Sequence, residues 1–162
     1  MNLKGVDMQM SSKKAFTMIE LVFVVVVIGI LAAIAVPKFA ATRDDATITK
    51  AMATIGSVRS GLATERQKRI LRGDFTAITA LNSTGTNVAF STFSADGDNN
   101  TSNVLEYDVS DCTGLSKSRG CWSVSGTTYT YAMPTSGSVA FIITNNRLNC
   151  DLTDANCKLL TQ

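Results

Sequence analysis

A carboxylate set within an otherwise apolar run is the feature that most constrains this chain. Residues 21–36 are sixteen consecutive positions without a charged or strongly polar side chain, and Glu20 stands immediately before them. With residues 16–20 the run reaches 21 residues, about 31 Å as an α-helix at 1.5 Å per residue. That matches the roughly 30 Å hydrocarbon core of a bilayer. A single membrane-spanning helix is therefore predicted. Lys13 and Lys14 precede it and hold that end in the cytoplasm, N-terminus in and C-terminus out. A carboxylate costs roughly 2.5–3.5 kcal/mol at mid-bilayer and less near the interface, which makes Glu20 a functional candidate. The bland alternative is a side chain shallow enough to snorkel to the headgroups.

Charge is as uneven as hydropathy. Lys4, Lys13 and Lys14 against Asp7 give the first fifteen residues the whole +2 of the chain, and beyond them 12 basic and 12 acidic side chains cancel. The net charge thus gives no reason to expect nucleic acid as a partner. With 162 residues, the chain has one domain's worth of sequence, and the part beyond the apolar run is rich in Thr, Ser, Asn and Gly like an ordinary soluble domain.

The stretch Lys13-Lys14-Ala15-Phe16-Thr17-Met18-Ile19-Glu20-Leu21-Val22, followed by the apolar run and Pro37, resembles the export signal of type IV prepilins and type II secretion pseudopilins. The likeness is close over residues 13–50 and only architectural beyond them. It implies a leader of residues 1–15, cut between Ala15 and Phe16 by a prepilin peptidase that N-methylates Phe16. It also implies an ion pair between Glu20 and the Phe16 amine of a neighbouring subunit, which aligns subunits in a filament. Residues 16–37 would then be the transmembrane and filament-core half of a helix, and residues 38–162 a periplasmic or extracellular globular domain. One departure stands out: Ala15 occupies the place usually held by Gly. A leader starting at Met10 would have the usual length of six residues, so translation is expected to begin at Met8 or Met10. A rival reading takes Ala33-Ile34-Ala35 as a secretory cleavage site that frees a soluble protein starting at Val36. Glu20 within the apolar region argues against it.

Pro37 lacks an N–H for the carbonyl of Ala33 and crowds the preceding turn, while Gly29 weakens the same stretch. A kink at the membrane exit is expected, and the resemblance adds that the segment can unwind when subunits pack. Beyond it, Ile48, Met52, Ile55, Val58 and Leu62 recur at helical spacing, with Lys50, Arg59, Glu65 and Arg66 on other faces. Gly73 is a stop signal. Short strands are expected over residues 88–93 and 104–109. Clearer ones cover residues 122–124, 127–133, 139–144 and 147–150, separated by Ser125-Gly126, by a Pro134 turn and by Asn145-Asn146. The fold class is α+β: a long kinked N-terminal helix packed on a small antiparallel meander.

Cys112, Cys121, Cys150 and Cys157 follow an export signal, which favours two disulfides over zinc or free thiols. Of the three connectivities, the local pairs Cys112–Cys121 and Cys150–Cys157 are preferred. Asp96-Gly97-Asp98-Asn99-Asn100 offers oxygens at alternate positions, making Asp96 and Asp98 calcium candidates, although the same residues are common turn chemistry. Asp151 and Asp154 lie within the last cysteine loop without enough ligands for a site. Arg66, Lys68, Arg69 and Arg72 form a dense basic run that can touch phosphates or merely complete a solvated helix end.

The chain has no His, no phosphate-binding glycine loop and no nucleophile elbow, so a non-enzymatic role without a cofactor is expected. The expected role is a type IV pilus subunit forming a helical homo-oligomer. The expected partners are prepilin peptidase, an inner-membrane assembly platform and, before assembly, inner-membrane lipid. The alternative is a type II secretion pseudopilin; a DNA-uptake or minor pilin ranks below both.

Overall fold

The computed structural model describes residues 16–82, 88–99, 101–112 and 119–162. The expected leader with Lys13, Lys14 and Ala15, and Asn100 of the calcium candidate, lie outside the described residues. Six elements follow in order: α1 (Met18–Leu71), β1 (Cys121–Ser125), β2 (Thr128–Ala132), β3 (Ser138–Thr144), β4 (Arg147–Cys150) and α2 (Ala155–Thr161). Two compact units divide between Ala40 and Ala41.

The first unit is helical. Thr17 caps α1: its hydroxyl accepts from the Glu20 amide at 3.3 Å, and Glu20 Oε2 accepts from the Thr17 amide at 3.2 Å. This reciprocal capping box satisfies two donors that a helix start leaves orphaned. The helix runs on through Pro37.

In the second unit, the inward stripe of α1 is Ala51, Ile55, Val58, Leu62, Glu65 and Arg69, alternating steps of four and three as a helix face requires. Ile48 and Met52 pack at its margin. Glu65, expected on an outer face, lies on the buried stripe because Arg69 joins it there. The helix stops where Gly73 predicts. Gly73 has φ +78°, its amide bonds the Ile70 carbonyl at 2.9 Å, and the Asp74 amide bonds that of Arg69 at 2.9 Å. This is the Schellman arrangement, in which a left-handed residue returns two donors to the last turn.

The sheet is an antiparallel meander in the order β1-β2-β3-β4. Its first hairpin turns on Gly126 and Thr127, one residue later than expected, with Gly126 at φ +62°. Glycine at the first central position suits a tight hairpin whose twist matches the strands. Asn145 and Asn146 make the last turn, with φ of 54° and 59°; Asn tolerates that region better than most residues. Along β2, Tyr129 and Tyr131 point inward and their neighbours outward. They meet Trp122, Phe141 and Phe90 in an aromatic cluster with centroid separations of 4.8 to 5.6 Å. The buried hydroxyls are satisfied: Tyr131 donates to the Thr47 carbonyl of α1, and Tyr129 donates to Asn82 Oδ1 and accepts from the Leu81 amide.

Two expected strands are absent. Residues 88–93 and 104–109 form no ladder with each other; the isolated bridge from Thr92 goes to Asn103, outside the second range. Phe90 has φ +61°, incompatible with a strand, and Ala89, Phe90 and Phe93 all enter the core instead of alternating. Residues 110–112 run parallel to β1 and cover its edge, through the Trp122 amide to the Ser110 carbonyl and the Cys112 amide to the Trp122 carbonyl. The unforeseen element is α2. Asp154 caps it, accepting from the Asn156 amide at 2.9 Å, and Cys157 and Leu160 face the core. Both local disulfides are formed, Cys112–Cys121 and Cys150–Cys157. The first ties the edge segment to β1, and the second ties α2 to β4.

Candidate functional site

The first unit carries one continuous apolar surface. Phe16 is 81% exposed, and fourteen further large apolar side chains up to Val36 are exposed with it. At roughly 1.5–3 kcal/mol for each such side chain transferred from water, the segment stands to gain tens of kcal/mol from lipid or from other helices. The helix is long and apolar enough to cross a membrane.

Glu20 is the one acidic group in the first turn. Its Oε2 accepts from both the amide and the hydroxyl of Thr17, each at 3.2 Å. The carboxylate is therefore held at the mouth of the helix, four residues from Phe16, where the positive end of the helix dipole also favours a negative charge. Sequence reasoning missed Thr17. The signal was present, since Thr-x-x-Glu before an apolar run is a capping box. Gly29 has open space around it, and a Cβ there would meet nothing within 4 Å.

The basic run does not present four charges to one ligand. Arg69 is fully buried, with Nε on Glu65 at 3.1 Å and Nη2 on the Ser94 carbonyl at 2.6 Å. Lys68 contacts Glu65, Arg72 contacts Asp96 at 2.9 Å, and Arg66 donates to the Thr76 carbonyl. The run pins the helix end to the loop that follows it; Lys68 and Arg72 remain exposed as a solvated helix end requires, and Arg69 alone departs from that expectation. Burial pushes the Glu65 carboxyl up, but bonds from Arg69 and Lys68 and the Lys68 charge outweigh this and leave it below its ordinary value.

Of the calcium candidates, Asp96 is similarly engaged, whereas the Asp98 side chain is exposed and has no partner among the described residues. Asp96 is buried, giving Oδ2 to Arg72 and Oδ1 to the Asp98 amide. Asp74 accepts from the Thr76 hydroxyl and from the Gly97 and Thr76 amides, which lowers its pKa to about 2. Asp151 is lowered by the amide and hydroxyl of Thr153. Among the described residues no three His, Cys, Asp or Glu side chains come together as metal ligands.

One cleft of about 750 Å³ opens between α1 and the β3–β4 turn, with Arg59, Arg66, Gln67, Arg147 and Asn145, Asn146 and Asn149 in its lining beside Leu62, Ala63 and Leu148. Arg59 and Arg66 stand two turns apart on α1, but Arg147 is distant in sequence, so nothing in the linear pattern foretells the cleft.

Comparison with known proteins bears on the first unit. Residues 10–36 match the family model described as the prokaryotic N-terminal methylation motif. The chain is 52% identical over 50 residues to the type IV narrow pilus major component PilA5 of Thermus thermophilus, covering 31% of this chain and 43% of that protein. It is 41% identical over 64 residues to a fimbrial protein of Pseudomonas aeruginosa, covering 40% and 39%. A fimbrial protein of Moraxella nonliquefaciens is 38% identical over 58 residues, covering 36% and 38%. The chain thus spans about two fifths of the length of these relatives. No solved structure shows significant similarity to it.

Proposed function

We infer that this chain, whose N-terminal segment is that of the type IV pilin family, is a structural subunit of a pilus-like filament. Held first in the inner membrane, it is polymerised through its apolar helix. The observation that carries the reading is the joint presence of an exposed apolar segment and one carboxylate fixed at its start. The relatives are named as pilus and fimbrial proteins, which favours a pilus over a secretion pseudopilus.

In this account, residues 1–15 are the leader, residues 16–37 the filament core and residues 38–162 the globular domain. A prepilin peptidase cuts between Ala15 and Phe16 and methylates the new amine, and an assembly platform takes up the mature subunit. Glu20 is the receiving group. Two opposite charges 4 Å apart interact by about 4 kcal/mol at an effective dielectric of 20, and each is costly alone in lipid. Until a neighbour's amine arrives, the carboxylate is kept partnered by Thr17. The amine then replaces a neutral donor with a charged one, a stronger hydrogen bond. The role is structural and requires no cofactor and no nucleic acid. Glu20→Ala should leave membrane insertion and cleavage intact and abolish filaments. Normal filaments from that variant would contradict the mechanism.

A further inference from the structure

The globular unit carries two opposed charge features at opposite edges of its sheet. At the β4 edge lies the cleft of Arg59, Arg66 and Arg147, with Gln67, Asn145 and Asn149 and no carboxylate in its lining. Among the described residues Arg59 commits only Nε, to the Leu148 carbonyl, and Arg66 only Nη1, to the Thr76 carbonyl. The Arg147 side chain is exposed and has no partner among the described residues. Guanidinium forks remain open, and such forks match carboxylates in geometry.

At the β1 edge the chain makes an outward knob. Glu106, Tyr107 and Asp108 are all exposed, Tyr107 at 78%, and none has a side-chain partner among the described residues. The knob is anchored on both sides: Leu105 and Val109 pack against the core, and residues 110–112 run along β1. Two carboxylates flanking an aromatic ring therefore project from one edge, and three arginines line the other. The two features lie toward edges of the sheet that are three strand spacings, about 14 Å, apart.

We propose that the Glu106-Tyr107-Asp108 knob of one subunit docks in the Arg59/Arg66/Arg147 cleft of a second copy of this chain. Two different patches that complement each other make a head-to-tail contact, and repetition of such a contact generates a helix rather than a closed pair. Tyr and Arg are also the side chains that most often dominate interface energetics. The inference rests on the filament reading and adds to it a second contact, between globular units, independent of Glu20.

The test uses the full-length chain in a pilus-assembling host that lacks its own pilin. Wild-type filaments must be present first; their absence counts against the filament reading itself. Arg66→Glu with Arg147→Glu is expected to reduce sheared filaments at least tenfold, as is Glu106→Lys with Asp108→Lys. Combining all four substitutions should restore filaments, which a merely misfolded variant cannot do. In filaments of Arg147→Lys, a zero-length carbodiimide should join the new amine to Glu106 or Asp108 of another subunit, read as a cross-linked peptide. Unchanged filaments in both charge-reversed pairs would overturn the proposal, as would failure of the fourfold combination to restore them. A cross-link confined to other carboxylates would overturn it too. So would loss of polyphosphate binding in Arg66→Glu/Arg147→Glu with filaments intact, which would assign the cleft to a soluble polyanion.

Discussion

Glu20 and Thr17 hold each other at the start of α1, the carboxylate taking the Thr17 amide at 3.2 Å while the Thr17 hydroxyl takes the Glu20 amide at 3.3 Å. The residue that the filament account assigns to a neighbour's amine is thus already occupied within its own subunit.

Removing the Thr17 hydroxyl should loosen this start. Thr17→Val is expected to weaken the first turn by about 1 kcal/mol and Thr17→Ser to leave it unchanged. Amide hydrogen exchange at Glu20 and Leu21 in detergent micelles reads the difference. Equal protection in both variants would show that the box contributes nothing.

The buried pair of Glu65 and Arg69 makes a second expectation. Glu65→Ala leaves the Arg69 guanidinium buried without its carboxylate, and breaking such a pair costs about 3–5 kcal/mol. Glu65→Leu combined with Arg69→Met should recover most of that loss, since apolar replacement of a whole buried pair is often neutral. Thermal unfolding followed through the near-ultraviolet signal of Trp122 separates the outcomes.

Acid should weaken the globular unit. Glu65 and Asp74 both have folded pKa values below their ordinary ones, Asp74 at about 2 against 3.8. A carboxylate depressed in the folded state contributes stability above its unfolded pKa and loses it as pH falls through the folded value. Stability is therefore expected to be flat above about pH 5 and to decline toward pH 2. Urea midpoints across that range test it, and the Asp74→Asn variant should show a shallower decline.

Reduction acts elsewhere. The two disulfides close loops with sequence separations of 9 and 7, each worth about 2–3 kcal/mol by loop entropy. Cys150→Ser with Cys157→Ser should chiefly release α2, seen as faster exchange at Leu160, with the aromatic cluster of Trp122 and Tyr131 retained.

Much of this fold was legible because its signals are local. The apolar stripe through Ile55, Val58 and Leu62, the Gly73 stop, the Tyr129–Tyr131 alternation and the Asn145-Asn146 turn each follow from a few neighbouring residues. Glu20 was legible for the same reason. Residues 88–109 were not, since Phe90 and Phe93 serve the core from irregular backbone, where no period applies. Arg69 looked solvated because its partners, Glu65 and the Ser94 carbonyl, come together only after folding. The cleft of Arg59, Arg66 and Arg147 has no linear signature at all. Asp154 did carry a readable helix cap, with Cys157 and Leu160 one turn apart behind it, but in the sequence it reads first as part of the last cysteine loop.

The most direct measurement is the intact mass and N-terminal sequence of the subunit recovered from sheared surface filaments. The account predicts a chain beginning at Phe16 and carrying one added methyl group on its amine. A chain beginning at Val36, or one retaining residues before Phe16, would contradict it.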